Sequence, residues 1–95
     1  MNLIFPSVNR SFDARRNLVR FWGYDSALEV PFFIEASALY KLYPHTGNAE
    51  AGYLKAFDSA RDRIHEAARK VYRRGGQNAY VLSSKDLDLD VKTPE

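Results

Sequence analysis

The sequence predicts an α+β domain in two layers, with a mostly antiparallel sheet of four or five strands covered on one face by a short and a long helix. Segments rich in aromatic and β-branched residues at 18–23 and 27–34 are typical of strands. A later segment, 49–74, carries apolar residues at three- and four-residue spacing, as one face of a helix does. Such a face needs an apolar partner, and the sheet supplies it. The predicted order is β-β-β-β-α-α-β.

The first strands are predicted from short apolar runs and the reversal signal between them. Residues 3–5 form a strand that Pro6 closes. Residues 11–14 and 18–24 form a hairpin, because Asn17 between them tolerates the left-handed backbone that a tight reversal needs.

The next strand is predicted from alternation. A second reversal at 23–26 precedes it, and four apolar residues then point to one face: Leu28, Val30, Phe32 and Ile34. Pro31 cannot donate to a ladder, so the strand is an edge there or the proline nitrogen faces away from a neighbour. Residues 79–83 form the last strand, which returns to the sheet.

Two helices are predicted between these strands. Ser37 is the expected N-cap of a short helix that Pro44 stops. Asn48 is the expected N-cap of a single long helix at 49–74. The apolar stripe of the long helix comprises Tyr53, Phe57, Ala60, Ile64, Ala67, Ala68 and Val71.

Composition narrows the class of protein. A chain of 95 residues is predicted to form one domain, at 1–84, with 85–95 as an edge strand or a flexible acidic tail. The sequence has no cysteine, which excludes disulfides, thiolate metal sites and a cysteine nucleophile, and favours the reducing cytoplasm. No apolar run approaches the roughly 20 residues that span a bilayer, so no membrane association is expected.

The apolar spacing resembles that of a small bacterial family known as domain of unknown function 1488, DUF1488. The matching residues are 3–5, Phe12-Asp13, 19–21, 28–34, Phe57, Arg61, Ile64 and Ala68. The resemblance covers nearly the whole chain and implies a compact α+β domain with no assigned activity or catalytic residues. Members of the family often carry a cysteine in the third main strand, where this chain has Phe32, which argues against a role for that thiol throughout the family.

No motif points to catalysis, a metal or a cofactor. Nothing matches a nucleophile elbow, a phosphate-binding loop or a zinc signature. His45 lies in a turn without a second histidine nearby. The alternating Asp86, Asp88 and Asp90 have the spacing that opens a calcium loop but lack its glycine and distant glutamate. We therefore predict no catalytic residue, no metal site and no cofactor.

One flank of the long helix carries Asp58, Arg61, His65 and Tyr72. The arginine and histidine could bind an anion, and the histidine pKa could be tuned by its neighbours. The alternative is a row at the edge of the core, in which Asp58 pairs with Arg61, His65 packs on the sheet rim and the Tyr72 hydroxyl stays hydrated.

A second group lies on one strand, where Arg20, Trp22 and Tyr24 alternate with Val19 and Phe21. If Val19 and Phe21 pack under the helix, the other sheet face shows an arginine between large aromatics, with Phe33 beside them. Such a face is typical of protein interfaces. Two alternatives stay open: Trp22 could lie in the core, or the terminal strands could cover this face.

Two partner classes follow from these groups. The first hypothesis is a non-catalytic domain that binds another protein or forms a homodimer through Arg20, Trp22, Tyr24 and Phe33. The second is weak binding of RNA or single-stranded nucleic acid, in which that face acts with the basic residues of the long helix. Residues 55–74 hold seven Lys and Arg against three Asp and Glu. The anion contacts expected in this second hypothesis are Arg61, His65, Arg69, Arg73 and Arg74.

Overall fold

The strands and helices follow the predicted order in a computed structural model that describes residues 3–6, 8–73 and 76–87. The strands are β1 (Leu3–Ile4), β2 (Ser11–Asp13), β3 (Leu18–Asp25), β4 (Leu28–Glu35) and β5 (Tyr80–Leu82). The helices are α1 (Ala36–Leu42), α2 (Glu50–Ser59) and α3 (Arg61–Val71), with a short 3-10 helix at Pro44–Thr46. The predicted α+β class is confirmed.

The sheet is built on the β3–β4 hairpin, which pairs along its whole length from Leu18↔Glu35 to Asp25↔Leu28. Both β1 and β2 pair antiparallel with β3, β1 at its C-terminal end and β2 at its N-terminal end. The last strand, β5, lies parallel to β4 on the other side. The described sheet is therefore mixed, with the order β1-β3-β4-β5 and β2 beside β1 on β3.

The turns of the sheet use left-handed backbone at two non-glycine residues. Asn17 has a φ of 58°, which confirms its predicted role in the β2–β3 turn. Ser26 also has a φ of 58°, and β3 continues to Asp25. The second reversal therefore lies at the end of the predicted segment 23–26. Pro31 is tolerated because β5 begins to pair with β4 only at Phe32.

The prediction of one long helix is wrong at Ala60, where α2 ends and α3 begins. Ala60 has φ −107° and ψ 16°, outside the helical region, yet its N–H still bonds the Ala56 carbonyl at 3.0 Å. Asp58 and Ser59 before the break are poor helix formers. The spacing of apolar residues cannot report such a local break, because the stripe runs through it unchanged.

Both predicted N-caps are also wrong. The N-cap of α1 is Glu35, and that of α2 is Ala49, each without a side-chain cap hydrogen bond. For α1 the reason is tertiary. The helix follows β4 directly, and the N–H of Ala36 donates to the carbonyl of Asn17 in the β2–β3 turn at 3.0 Å. A backbone acceptor thus satisfies one of the N–H groups that have no partner inside the helix.

All three helices pack on one face of the sheet, where the core lies. The apolar stripe is confirmed, since all of its residues but Val71 are buried. Residues 83–87 form a turn, and Leu87 is buried in the core. The predicted strand or tail spans 85–95, and of it residues 88–95 lie outside the described residues, so the division at Ser84 stays a prediction. Within the described ranges, no helix has the length and apolar character to cross a bilayer.

Candidate interaction surface

The sheet face turned away from the helices carries the residues predicted to bind. Alternation places Val19 and Phe21 of β3 in the core, fully buried. Arg20 is exposed and Trp22 and Tyr24 are half-buried on the opposite face. The predicted assignment of the two faces is therefore confirmed, and Trp22 lies outside the core. We call this surface the outer face.

The outer face is organised in three rows across β3 and β4. The directly paired residues are Arg20 with Phe33, Trp22 with Pro31, and Tyr24 with Glu29. Phe33 thus lies beside Arg20, as predicted. Two apolar side chains extend the rows on the flanking strands, Ile4 beside Tyr24 and Val81 beside Phe33, and these are 53% and 54% exposed. The result is a continuous aromatic and aliphatic strip.

Two arginines lie over the aromatic rings of this strip. The guanidinium carbon of Arg20 is 5.3 Å from the ring of Trp22, and that of Arg16 is 4.7 Å from the ring of Phe33. Both distances suit cation–π attraction. Arg16 also donates to the Asp13 carboxylate at 2.9 Å, and this bond lowers the pKa of Asp13. Arg20 is engaged with Trp22 but has no ion pair within the described residues.

On the helices, Asp58 and Arg61 form the predicted pair and belong to a larger cluster. Arg10 donates to both carboxylate oxygens of Asp58, at 2.8 and 2.9 Å. Arg61 donates to the same carboxylate and to the Val8 carbonyl at 3.1 Å. The cluster ties residues 8–10 to the junction of α2 and α3. These arginines are therefore engaged in contacts between segments of the chain, as in the alternative of an edge row.

His65 is buried under the N-terminal strand. Its ring stacks on Phe5, with centroids 4.0 Å apart and planes 7° from parallel. Burial, and then the positive charges of Arg61 and Arg69, lower the pKa of His65 to about 4, against a smaller opposing effect of Asp62. The imidazole is therefore neutral at neutral pH. Its predicted role as an anion contact is untested, but a neutral imidazole brings no positive charge to a bound anion.

Tyr72 differs from the sequence-based expectation, because its hydroxyl is buried instead of hydrated. It donates to the carboxylate of Asp25 at 2.8 Å, and Asp25 is only 3% exposed. This bond joins the end of β3 to the residue after α3. Sequence reasoning missed Asp25, although the alternation from Phe21 through Gly23 places it on the core face.

The described anion contacts predicted at the end of the long helix, Arg69 and Arg73, do not join the outer face. Arg69 lies on α3, on the helix side of the sheet, and donates to the Leu3 carbonyl at 3.2 Å. The backbone of Arg73 donates to and accepts from the hydroxyl of Tyr80, whose side chain is in the core. Arg74 lies outside the described residues. Arg69 and Arg73 therefore do not form one surface with Arg20, and the part of the prediction that concerns Arg74 is untested.

A groove also opens where β4 and β5 begin. It has a volume of about 750 Å³ and is lined by Leu28, Glu29, Val30, Tyr72, Gly76, Gln77, Asn78, Ala79 and Val81. The lining includes no histidine. Across the described part of the chain, no three His, Asp or Glu side chains are grouped to hold a metal ion.

Comparisons with known proteins agree with this architecture. Residues 3–83 match a family described as protein of unknown function, DUF1488. The fold is similar to the crystal structure of a DUF1488 protein of unknown function from Shewanella loihica PV-4, with a TM-score of 0.73 and 21% sequence identity. The match covers 86% of this chain and 94% of the other. At this identity the likeness shows the fold alone. No curated protein matches the sequence.

Proposed function

The chain belongs to the DUF1488 family, and from its geometry we propose that it is a non-catalytic protein-interaction module that binds through the outer face. Membership of the family confirms the resemblance seen in the apolar spacing. One observation carries the proposal: Trp22, Tyr24 and Phe33 lie partly exposed, in neighbouring rows, on the sheet face opposite the helices. Tryptophan, tyrosine and arginine dominate the energetic centres of protein interfaces.

The size and composition of the outer face support the proposal. The outer face comprises eight positions, three pairs on β3 and β4 with Ile4 and Val81 on the flanking strands. With strands about 4.8 Å apart and paired rows about 7 Å apart, these positions cover roughly 270 Å². Contiguous apolar patches of this size on single chains often mark interaction sites. The guanidinium carbon of Arg20 lies 5.3 Å from the centre of the Trp22 ring. Such rigid aromatic side chains lose little conformational entropy when they bind.

The ionisable groups on the helix side support the same conclusion. Arg61 and Asp58 bond each other and residues 8–10, and His65 is buried against Phe5. Arg61 and His65, two of the predicted anion contacts, are thus engaged in contacts within the chain. A cytoplasmic location is part of the proposal and rests on a sequence without cysteine.

Site-specific photo-crosslinking in living cells tests the proposal. A benzoyl-phenylalanine in place of Trp22 or Tyr24 places the reactive group on the outer face, and one in place of Tyr40 is the control. Tyr40 is 45% exposed and lies on α1, on the helix side. We expect discrete protein adducts from positions 22 and 24 and none from position 40. Absence of adducts at both sheet positions, or the same adducts at position 40, would refute the proposal.

Single-stranded RNA is the second candidate partner, favoured by the stacking of Arg20 over Trp22. Few cations on this face could contact phosphates, because two of its charged positions are the acidic Glu29 and Glu35. Quenching of Trp22 fluorescence by a single-stranded oligonucleotide, at low and at high salt, tests the candidate. Binding through phosphates must weaken as salt rises. No quenching at low salt, or quenching that salt leaves unchanged, rejects RNA as the partner.

A further inference from the structure

We propose that the occupant of the outer face is a second copy of this chain, packed face to face about a two-fold axis that passes by Trp22. The inference rests on the proposed function and names its partner. It starts from two charged side chains that lie on opposite sides of the Trp22–Pro31 row. Arg20 is in the row before it and Glu29 in the row after it.

Neither charge is neutralised within the described residues. The contact made there by the Arg20 guanidinium is with the ring of Trp22, at 5.3 Å. Glu29 has no ion pair or side-chain hydrogen bond with any described residue. An interface that covers the aromatic strip would remove both charges from water, which is costly unless each finds an opposite charge. The occupant must therefore present an acid and a base at matching positions.

A second copy meets this requirement in one of two simple arrangements. In the first arrangement the two-fold axis lies between the two sheets and runs perpendicular to the strands. It inverts the order of the rows in the second copy. Arg20 then lies over Tyr24 of the partner subunit and diagonally beside Glu29 of the partner subunit. A two-fold axis parallel to the strands would instead bring equal rows together and place the two copies of Arg20 side by side. Charge complementarity selects the perpendicular axis.

Sheet packing allows this arrangement. Facing sheets lie about 10 Å apart with their strands within about 30° of each other, and large side chains interdigitate between them. Trp22 and Pro31 would pack at the centre, with Ile4 and Val81 near the sides. Glu35 lies one row beyond Phe33. It would face the β3–β4 turn of the second copy at the edge of the interface, where solvent can hydrate its charge.

The area predicts a weak and reversible dimer. Roughly 270 Å² of sheet surface is well below the roughly 800 Å² that each partner buries in a standard interface. We therefore expect monomers and dimers to exchange at micromolar concentrations or above. Such a dimer is visible only when concentration is varied, so a single mass measurement does not decide the matter.

The chain contains one tryptophan, Trp22, and this gives a probe at the centre of the proposed interface. The mass in solution by sedimentation and the emission wavelength of Trp22 are measured on the same samples, from about 500 µM down to about 1 µM, the range that covers weak dissociation constants. We expect the mass to fall from two chains to one on dilution. The Trp22 emission should shift to longer wavelength in parallel, as the ring becomes hydrated.

Charge reversal then tests the pairing itself. Arg20→Glu and Glu29→Arg should each weaken the dimer by at least about ten-fold, and the double variant should restore it to within about three-fold. Lys70→Glu is the matched control, because Lys70 is exposed on α3 on the helix side. It should leave the dimer unchanged.

Three outcomes overturn the inference. A chain that stays monomeric at every concentration excludes the second copy, while crosslinks from position 22 to a different protein would leave the proposed function standing. A dimer whose formation leaves the Trp22 emission unchanged uses another surface. Single reversals that the double variant fails to rescue exclude the two-fold pairing of Arg20 with Glu29.

Discussion

Lowering the pH from 7 to 5 should destabilise the fold through His65. The imidazole is stacked on Phe5 at 4.0 Å and faces the guanidinium groups of Arg61 and Arg69 on its own helix. Asp62 on that helix opposes their effect. Protonation would add a positive charge to a buried ring between two existing ones. The folded chain resists it, and the pKa of His65 falls to about 4.

The sign and size of the effect follow from proton linkage. In the unfolded chain the histidine titrates near its ordinary pKa of 6.5. Between pH 6.5 and about 4 the unfolded state binds the proton and the folded state does not, so stability falls as the pH falls. Each pKa unit corresponds to about 1.4 kcal/mol. The interval from the unfolded-state pKa of 6.5 down to pH 5 therefore corresponds to a loss of about 2 kcal/mol in the free energy of unfolding. Above pH 7.5 the contribution is constant.

Urea unfolding at pH 7.5, 6 and 5 measures this loss. With a urea dependence of about 1 to 2 kcal/mol/M for a domain of this size, the midpoint should fall by about 1 to 2 M between pH 7.5 and pH 5. Asp13 does not confound this window, because its pKa is lowered from 3.8 and its contribution is lost only at lower pH.

Two variants distinguish the contribution of His65 to the pH dependence from the contributions of other titratable groups. His65→Phe keeps a ring that can stack on Phe5 but cannot titrate, so it should lose most of the pH dependence. His45→Gln changes an exposed histidine in the 3-10 helix and should keep it. NMR titration of the imidazole protons gives the folded pKa directly. A midpoint that is flat from pH 7.5 to 5, or an undiminished fall in His65→Phe, would refute the reasoning.

Three further predictions concern stability and are measured by urea unfolding. Phe57 is fully buried and Lys70 is exposed, so Phe57→Ala should cost about 3 to 5 kcal/mol and Lys70→Ala no more than about 0.5 kcal/mol; equal midpoints would contradict the packing of α2. Tyr72→Phe removes a buried donor to the Asp25 carboxylate and should cost about 1 to 3 kcal/mol; a neutral result would mean that this bond is not formed in solution. A methyl group at Gly23 would lie 2.8 Å from a carbonyl oxygen of β1, so Gly23→Ala should cost about 1 to 3 kcal/mol and expose the β1 amides to hydrogen exchange; unchanged protection would contradict the pairing of β1 with β3.

Local periodicity predicted which side of each element is buried. Alternation along β3 placed Phe21 in the core and Trp22 on the outer face, and both positions are confirmed. The apolar stripe through Phe57 and Ile64 is buried although the helix is broken between them. These predictions succeed because side-chain direction repeats with the backbone geometry of a strand or a helix, whatever the element packs against.

Contacts between distant segments could not be predicted in this way. Phe5 meets His65 and Arg10 meets Asp58 across 60 and 48 residues, respectively. No spacing rule joins such pairs, so the engagement of the helix cations in packing was not visible in the sequence. The failed prediction of Ser37 as a cap has the same origin, since a backbone carbonyl from another turn replaces the cap.

The sequence by itself determined the α+β class, the order of the elements and the two faces of the central hairpin, because these depend on the local period of apolar residues. Only the tertiary structure decided that β5 is parallel to β4, that Tyr72 bonds a buried Asp25, and that Arg69 lies on the side of the sheet away from Trp22. These features depend on how segments far apart in the chain meet. That outcome is set by the packing of the whole core, which no local pattern encodes.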